Sequence, residues 1–445
     1  MKTTITSVKQ KLDASISQLS EVSWMFSKKP GVYFSRDRKL PFSKVISCLL
    51  SMEGGTLTSE LLKYFGCSAD IASSSAFVQQ RSKISDEAFP MLFSLFVKKT
   101  DSPKLYKGLR LIAADGSDIQ IPTNSNHLDS YFPGVNGQTS YNLLHLDAMY
   151  DLLRHTYIDA SLVGKRKVNE RNTLCSMVDR SSMKNVLLIA DRGYEGFNLM
   201  AHIQEKHWNF LIRAQDVLHS RGIVAGLTLP DKDEFDLSIN LSLTTKGSNE
   251  VKRLCKDRNK YRYIPSTVSF DYLPKKNRKH DPAIFYELHF RIVRFKITED
   301  TYETVITNLD PFAFPPKELK KLYNMRWGIE TSFRDLKHTI GLNHFHSKKV
   351  EFIKQEIFAR LVLYNFCEAI TSHVVVQNKP RKHTYQLNFS AAVDVCRQFL
   401  LDRSTLSPPD VEALLLKYVQ PVRNGRHDPR KVKPRSFVSF TYRVA

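Results

Sequence analysis

The sequence predicts an α/β protein in which a helical N-terminal region precedes a layer built on one mixed sheet, and an all-β insertion interrupts that layer. Three observations predict this. Apolar residues recur at three-to-four spacing through the first hundred positions; apolar runs from about 106 to 215 then read as three strands, helix, strand, helix, strand; and 216 to 304 holds short alternating pieces with almost no helical period.

Within the first region, KVISCLLSMEG, SELLKYFGC and AFPMLFSLFVKK carry the helical period. Thr56 to Glu60 offers N-caps to one short helix, and Gly66-Cys67-Ser68 turns the chain into a second, Ala72 to Lys83. That outline fits a helix-turn-helix, whose second helix would present Ser73, Ser74, Ser75, Gln79, Gln80 and Arg81 to base edges. It equally fits a plain structural hairpin.

The next region begins with KGLRLIAADGS, an apolar run ending in an acidic turn, followed by DIQIP. LLHLDAMYDLL and RHTYIDASLVG read as two more strands with a short connection, KRKVNERNTLCSMVDRSS as a polar helix, and NVLLIADRGYEG as a buried strand ending in an acid. FNLMAHIQEKHW and NFLIRAQ complete the layer as helix and strand. The insertion mixes basic residues with Tyr261, Tyr263, Phe270 and Tyr272, a combination that suits phosphate contact and base stacking as well as solvated loop ends. TYETVITNLD returns to a strand, PPKELKKLYNMRWGIETSFRDLKHTIGL reads as one long helix, and more helix follows through FIKQEIFARLVLYNFCEAIT. The last 25 residues hold seven Lys and Arg against one Asp and read as an irregular basic arm.

Charge narrows the function. The 445 residues carry 66 Lys and Arg against 45 Asp and Glu, a formal charge of +21, which points to a polyanionic partner, nucleic acid first. The apolar share of 42% supports a proper core and excludes a disordered tail. Six scattered cysteines form no Cys-x-x-Cys pair, so neither a zinc ribbon nor a disulfide framework is indicated. No apolar run suits a signal peptide or membrane span, and the expectation is a cytoplasmic protein.

Two acids occupy equivalent places: Asp115 closes LIAAD and Asp191 closes LLIAD, each followed at or near the next position by glycine. Side chains at strand ends of α/β sheets project into a crevice while the sheet holds them rigid. Asp118, three residues on, is the rival to Asp115, which is preferred because it closes the apolar run. Asp147, Asp151 and Asp159 read as exposed strand or loop charges, with an outer role at the site as the alternative.

On the long helix, advancing about 100° per residue from Tyr323 puts Arg326 near −60°, Glu330 near −20° and Lys337 near −40°, one stripe about 21 Å long. Such a stripe matches several phosphates along a DNA strand. Trp327 reads as a packing residue on the inner side of the helix. Two Asp and one Glu converging would hold two hard divalent cations for in-line attack on a phosphodiester, with Arg326 and Lys337 neutralising phosphate and Tyr323 hydrogen-bonding one.

At these residues the sequence resembles the DDE transposases of bacterial insertion sequences, in particular the insertion-sequence-4 family. Tyr323, Arg326, Glu330 and Lys337 fit that family's Tyr-Arg-Glu-Lys signature without a gap. AADGS and ADRGY look like its two Asp boxes, and the match runs from about 30 to 370. The resemblance implies an RNase H-like catalytic domain interrupted by the β insertion, with Asp115, Asp191 and Glu330 as catalytic residues binding two Mg2+, for which Mn2+ can substitute. Tyr323, Arg326, Lys337 and Arg192 are the expected DNA contacts. It also implies binding of terminal inverted repeats in double-stranded DNA by a homodimer, nicking, a hairpin intermediate, and joining to target DNA, in a bacterial cytoplasm at the nucleoid. Residues 216–304 contain no Trp, where characterised hairpin-forming relatives stack a flipped base on one; Tyr261, Tyr263, Phe270 or Trp208 would substitute.

The expected organisation is a helical DNA-binding domain over 1–105, the catalytic domain over 106–215 and 305–375 with the insertion at 216–304, and a helical region with the basic arm over 376–445. Two other readings share these residues: a transposase-derived DNA-binding protein without cleavage, and an RNase H-like nuclease without strand transfer.

Overall fold

The computed structural model describes residues 2–36, 38–135, 137, 139–216, 222–275, 281–374, 376, 384–401 and 406–422. The expected basic arm, from 423 onward, lies outside the described residues. Among the described residues, the first hundred form five α-helices: α1 (Lys2–Glu21), α2 (Phe42–Ser51), α3 (Leu57–Phe65), α4 (Ser74–Arg81) and α5 (Ala88–Thr100). The strands β1 (Arg110–Ile121), β2 (Tyr131–Phe132), β3 (Tyr141–Asp151) and β4 (Thr156–Gly164) follow, then α6 (Glu170–Arg180), β5 (Val186–Ala190), α7 (Phe197–Glu205) and β6 (Asn209–Arg213). Next come β7 (Phe235–Thr244), α8 (Asn249–Leu254), β8 (Tyr261–Tyr263), β9 (Tyr286–Thr298) and β10 (Thr301–Thr307). The chain continues through α9 (Pro316–Met325), α10 (Trp327–His338), α11 (Val350–Thr371), β11 (Tyr385–Leu387), α12 (Phe389–Leu400), α13 (Pro408–Lys417) and β12 (Val419–Pro421).

The helical start and the strand-helix alternation are as the periodicity predicts. One ten-stranded sheet runs β2-β3-β1-β5-β6-β10-β9-β7-β8, with β4 on the far side of β3. β1 and β3 are antiparallel, β5 lies parallel to β1, and β6 lies parallel to β5. The segment expected as an all-β insertion corrects that expectation twice. It contains the helix α8, capped by Ser248, and its strands extend the central sheet, because β10 pairs with both β6 and β9. A strand whose edge would otherwise stay open is covered by the next.

Alternation along β1 divides the interior in two. Leu111 and Ala113 pack into a core with α1, α2, α5, α10 and α11, whereas Ile112 and Ala114 face α6, α7 and the far strands. α11 is buried along almost its whole length, explaining why its sequence shows no polar face.

The hairpin α3–α4 forms as predicted, with Thr56 and Ser73 side chains capping the two helices and Gly66 adopting φ 66° at the turn. Its proposed reading face is corrected. Arg81 is 2% exposed and Gln80 8%, because Arg81 turns inward to pair with Glu356 of α11 at 2.9 Å, leaving Ser73, Ser75 and Gln79 outside.

Candidate active site

β1 runs unbroken through Asp115 and Asp118, so Asp115 is not at a strand end as the sequence suggested. What ends there is the pairing with β5: the register closes at Ala114 with Ala190, and the next residues are Asp115 and Asp191. The two carboxylates therefore leave neighbouring strands side by side. Asp191 accepts the Gly193 N–H at 2.8 Å and so caps the turn Arg192–Tyr194, while Asp115 accepts the Gly116 N–H at 2.8 Å.

The third acid arrives on α10. The predicted single helix is two, joined at Arg326, whose backbone stays right-handed (φ −51°, ψ −34°) while hydrogen bonds tighten to the i−3 carbonyl, from Arg326 N to Tyr323 O and from Ile329 N to Arg326 O. Beyond this tightened turn, Arg326 and Lys337 of the stripe face β1. Arg326 sits between two acids, 2.6 Å from Glu330 and 3.5 Å from Asp115, and Lys337 donates to the Asp118 carbonyl at 2.8 Å.

Burial pushes the Asp115 carboxyl up to about 6; the Asp191 and Glu330 charges add to this, against the Gly116 hydrogen bond and Arg326. Three acids thus share one region with a single guanidinium bridging two of them. Among the described residues, Asp191 Oδ2 and Glu330 Oε2 have no hydrogen-bond partner within the chain. Hard carboxylate oxygens in this number, with acceptor capacity left open, suit a divalent cation such as Mg2+.

The remaining candidates divide by exposure. Arg192 is exposed beside Asp191, on a cleft that Arg171, Phe197 and Gln215 also line. Tyr323, expected at a phosphate, is 3% exposed, and its ring lies 5.7 Å from the Arg326 guanidinium, because Leu319, Leu322 and Tyr323 form the inner face of α9. Trp327 corrects the packing assignment given to it: it is 52% exposed, with Arg326 over its ring at 5.1 Å. Trp208 and Phe270 are buried, the Trp208 indole bonding to the Met183 carbonyl at 3.0 Å, so neither presents a stacking face; Tyr263 is exposed.

Behind Gly116, on the sheet face opposite to the Asp115 side chain, lies a cluster that sequence reasoning missed. His145 and Asp147, two apart on β3, share a face with Asp118 of β1 and with Glu170 at the start of α6. Asp147 and Asp151 are buried, against the expectation of exposed charges: Asp151 pairs with Arg110 at 2.8 Å, while Asp159 pairs with Arg180 at the surface. A period-two His-x-Asp inside an otherwise apolar strand was the available signal. Burial of Tyr194, and after it the charges of Asp147, Glu170, Asp115 and Asp191, raise that phenol's pKa.

Comparison with known proteins shows the family. The family model "Transposase DDE domain" matches residues 106–366, a stretch holding all three acids. The transposase InsG for insertion sequence element IS4 of Escherichia coli (strain K12) is 23% identical over 438 residues, covering 91% of this chain and 88% of that protein. A structure of the piggyBac transposase synaptic complex with hairpin DNA covers 97% of this chain and 86% of that one, at 11% identity and a TM-score of 0.41. With the family model spanning more than half of its length, the chain belongs to the DDE transposases, and within them to the insertion-sequence-4 family.

Proposed function

We propose that the chain binds the terminal inverted repeats of an insertion sequence, cleaves the DNA ends and joins them to target DNA by two-metal phosphoryl transfer on an RNase H-like domain. The observation that carries this reading is that Asp115 and Asp191 directly follow the last paired residues of two neighbouring strands, while Arg326 contacts both Asp115 and Glu330 of α10.

Asp115, Asp191 and Glu330 would hold two Mg2+, which supply a polarised attacking oxygen and a stabilised leaving oxygen when bound. The chain's own residues do the rest. Adjacent strands fix the two aspartates rigidly, and Glu330 reaches them from α10. Arg326 would neutralise phosphate charge beside the acids it now contacts; Lys337 and the exposed Arg192 would extend that contact along the backbone. Water attacks phosphorus and the 3′-oxygen leaves; in joining, that 3′-hydroxyl attacks a target phosphodiester, gives up its proton, and the target strand's own 3′-oxygen leaves. Trp327 and Tyr263 offer exposed rings for a base displaced during hairpin formation. Two copies would pair the two ends.

No helix among the described residues is long and apolar enough to cross a membrane. The test is a labelled duplex from the end of the coding element, incubated with Mg2+ or Mn2+ against EDTA and resolved on denaturing gels. Metal-dependent nicks and joined products are expected, lost in Asp115→Ala, Asp191→Ala and Glu330→Ala while binding persists. Specific binding without cleavage would favour the DNA-binding reading, and nicks without joining the nuclease.

A further inference from the structure

The cluster behind Gly116 has the build of a metal site separate from the three catalytic acids. His145 is 2% exposed, and its Nδ1 stands 2.5 Å from Asp118 Oδ1. A carboxylate only accepts, so Nδ1 carries the proton and donates it. Nε2 then points at Asp147 Oδ1, 3.3 Å away, and Glu170 Oε1, 3.1 Å away, yet makes a hydrogen bond with neither. Asp147 is 3% exposed and both of its oxygens are buried without a hydrogen-bond partner. In the metal-free chain the His145 imidazolium is the cation that faces Asp147 and Glu170 across these ion-pair distances, and a divalent ion would take the place of its Nε2 proton and meet the buried carboxylate directly.

We infer that His145 Nε2, Asp147 and Glu170 bind a divalent transition-metal ion such as zinc. One ligand atom from each lies within 4.8 Å of the others. Ligand atoms around a tetrahedral zinc stand about 3.3–3.6 Å apart, given metal–ligand bonds of about 2.0–2.2 Å, so the two measured separations from Nε2 are near those of ligands already gathered. Asp118 completes the arrangement, for a metal-bound histidine characteristically donates its other ring N–H to a carboxylate, which fixes tautomer and orientation. Lys165, 2.8 Å from Asp118, holds that carboxylate in turn. The imidazole selects a first-row transition metal over Mg2+, whose preferred ligands are oxygens.

Gly116 makes the site possible. A Cβ there would stand 2.4 Å from His145 Nε2 and 3.3 Å from Asp147 Oδ1. The ion would tie β3 to the start of α6, directly behind the backbone that carries Asp115, and Glu170 also reaches the turn after Asp191: its Oε2 is 3.8 Å from where a Cβ on Gly193 would lie. The metal therefore acts as a brace for both strand ends, and its binding does not depend on whether the three acids cleave DNA.

The test is zinc binding to the untagged full-length chain in excess Mg2+, by titration calorimetry and zinc X-ray absorption. One zinc per chain is expected, with imidazole and oxygen scattering in its coordination shell. The three catalytic acids contain no imidazole, so the signature separates the sites without any substitution. Binding should persist in Glu330→Gln, disappear in His145→Gln, and weaken about 10–100-fold in Asp118→Asn, which keeps every ligand and loses only the orienting carboxylate. No zinc bound in excess Mg2+, a shell without imidazole, or unchanged binding by a folded His145→Gln would overturn the inference.

Discussion

Asp115→Asn should make the metal-free protein more stable at neutral pH. In the fold, burial and the neighbouring acids raise the Asp115 carboxyl from its ordinary 3.8 to about 6. An acid whose folded pKa exceeds its unfolded value contributes stability below the unfolded pKa and loses it as pH rises through the folded one. The window is therefore pH 3.8 to about 6. At 1.36 kcal/mol per pH unit the full loss is about 3 kcal/mol, and with the side chain 20% exposed, solvent screening brings it to about 1–3 kcal/mol. Asparagine keeps the shape without the charge, so it escapes this loss. Urea unfolding in EDTA should show the variant ahead by that amount near pH 8, with the advantage vanishing near pH 4. Saturating Mg2+ should reverse the order, since a ligand of the folded state stabilises only the protein that binds it. A variant less stable than wild type near pH 8 in EDTA would refute the reasoning, because the pairing with Arg326 would then outweigh desolvation.

Three further outcomes follow from other contacts. Arg326→Ala removes the cation between Asp115 and Glu330 and should slow cleavage about 10²-fold or more while leaving end binding in gel shifts largely intact; an unchanged single-turnover rate would remove Arg326 from the site. Burial opposes ionisation of Glu356, but Arg81, His346 and Arg360 overcome it and hold the carboxyl well below the usual range, so its stabilisation is present above the unfolded value of 4.5 and fades as pH falls through its folded pKa. Glu356→Gln should cost about 3–5 kcal/mol at pH 7, read as a drop in urea midpoint, since it leaves buried arginines unmatched; an unmoved midpoint would contradict this. Gly116→Ala should lower stability by about 1–3 kcal/mol through the clash with the His145 ring, and a variant as stable as wild type would show that the ring can move aside.

Much of the architecture was written in local pattern. Apolar period placed the helices through Thr100 and the alternation of strands and helices up to β6, because a 3.6 or a 2.0 repeat is imposed by which face meets the core. Asp115 and Asp191 were singled out by context, an apolar run meeting Asp and then glycine, although β1 runs on past Asp115. The stripe on the helix was legible too, although its break at Arg326 was not: the tightened turn leaves φ and ψ helical and has no compositional mark. Exposure was the least readable quantity. Arg81, Asp147 and Asp151 looked like surface charges and proved buried, each facing a partner or a cluster supplied by a distant element, and Trp327 looked like packing and proved exposed.

By itself, then, the sequence determined the broad order of helical and strand regions, the basic charge balance and the choice of three candidate acids, since these rest on residue type and spacing along one chain. Tertiary structure alone decided that the insertion continues the central sheet, that Asp115 and Asp191 emerge side by side because β1 and β5 stop pairing at Ala114 and Ala190, and that Arg326 bridges Asp115 and Glu330. It alone also brought Glu170 to His145 and Asp147 behind Gly116. Strand partnership and register are set by contacts between segments far apart in the chain, and no local period records them.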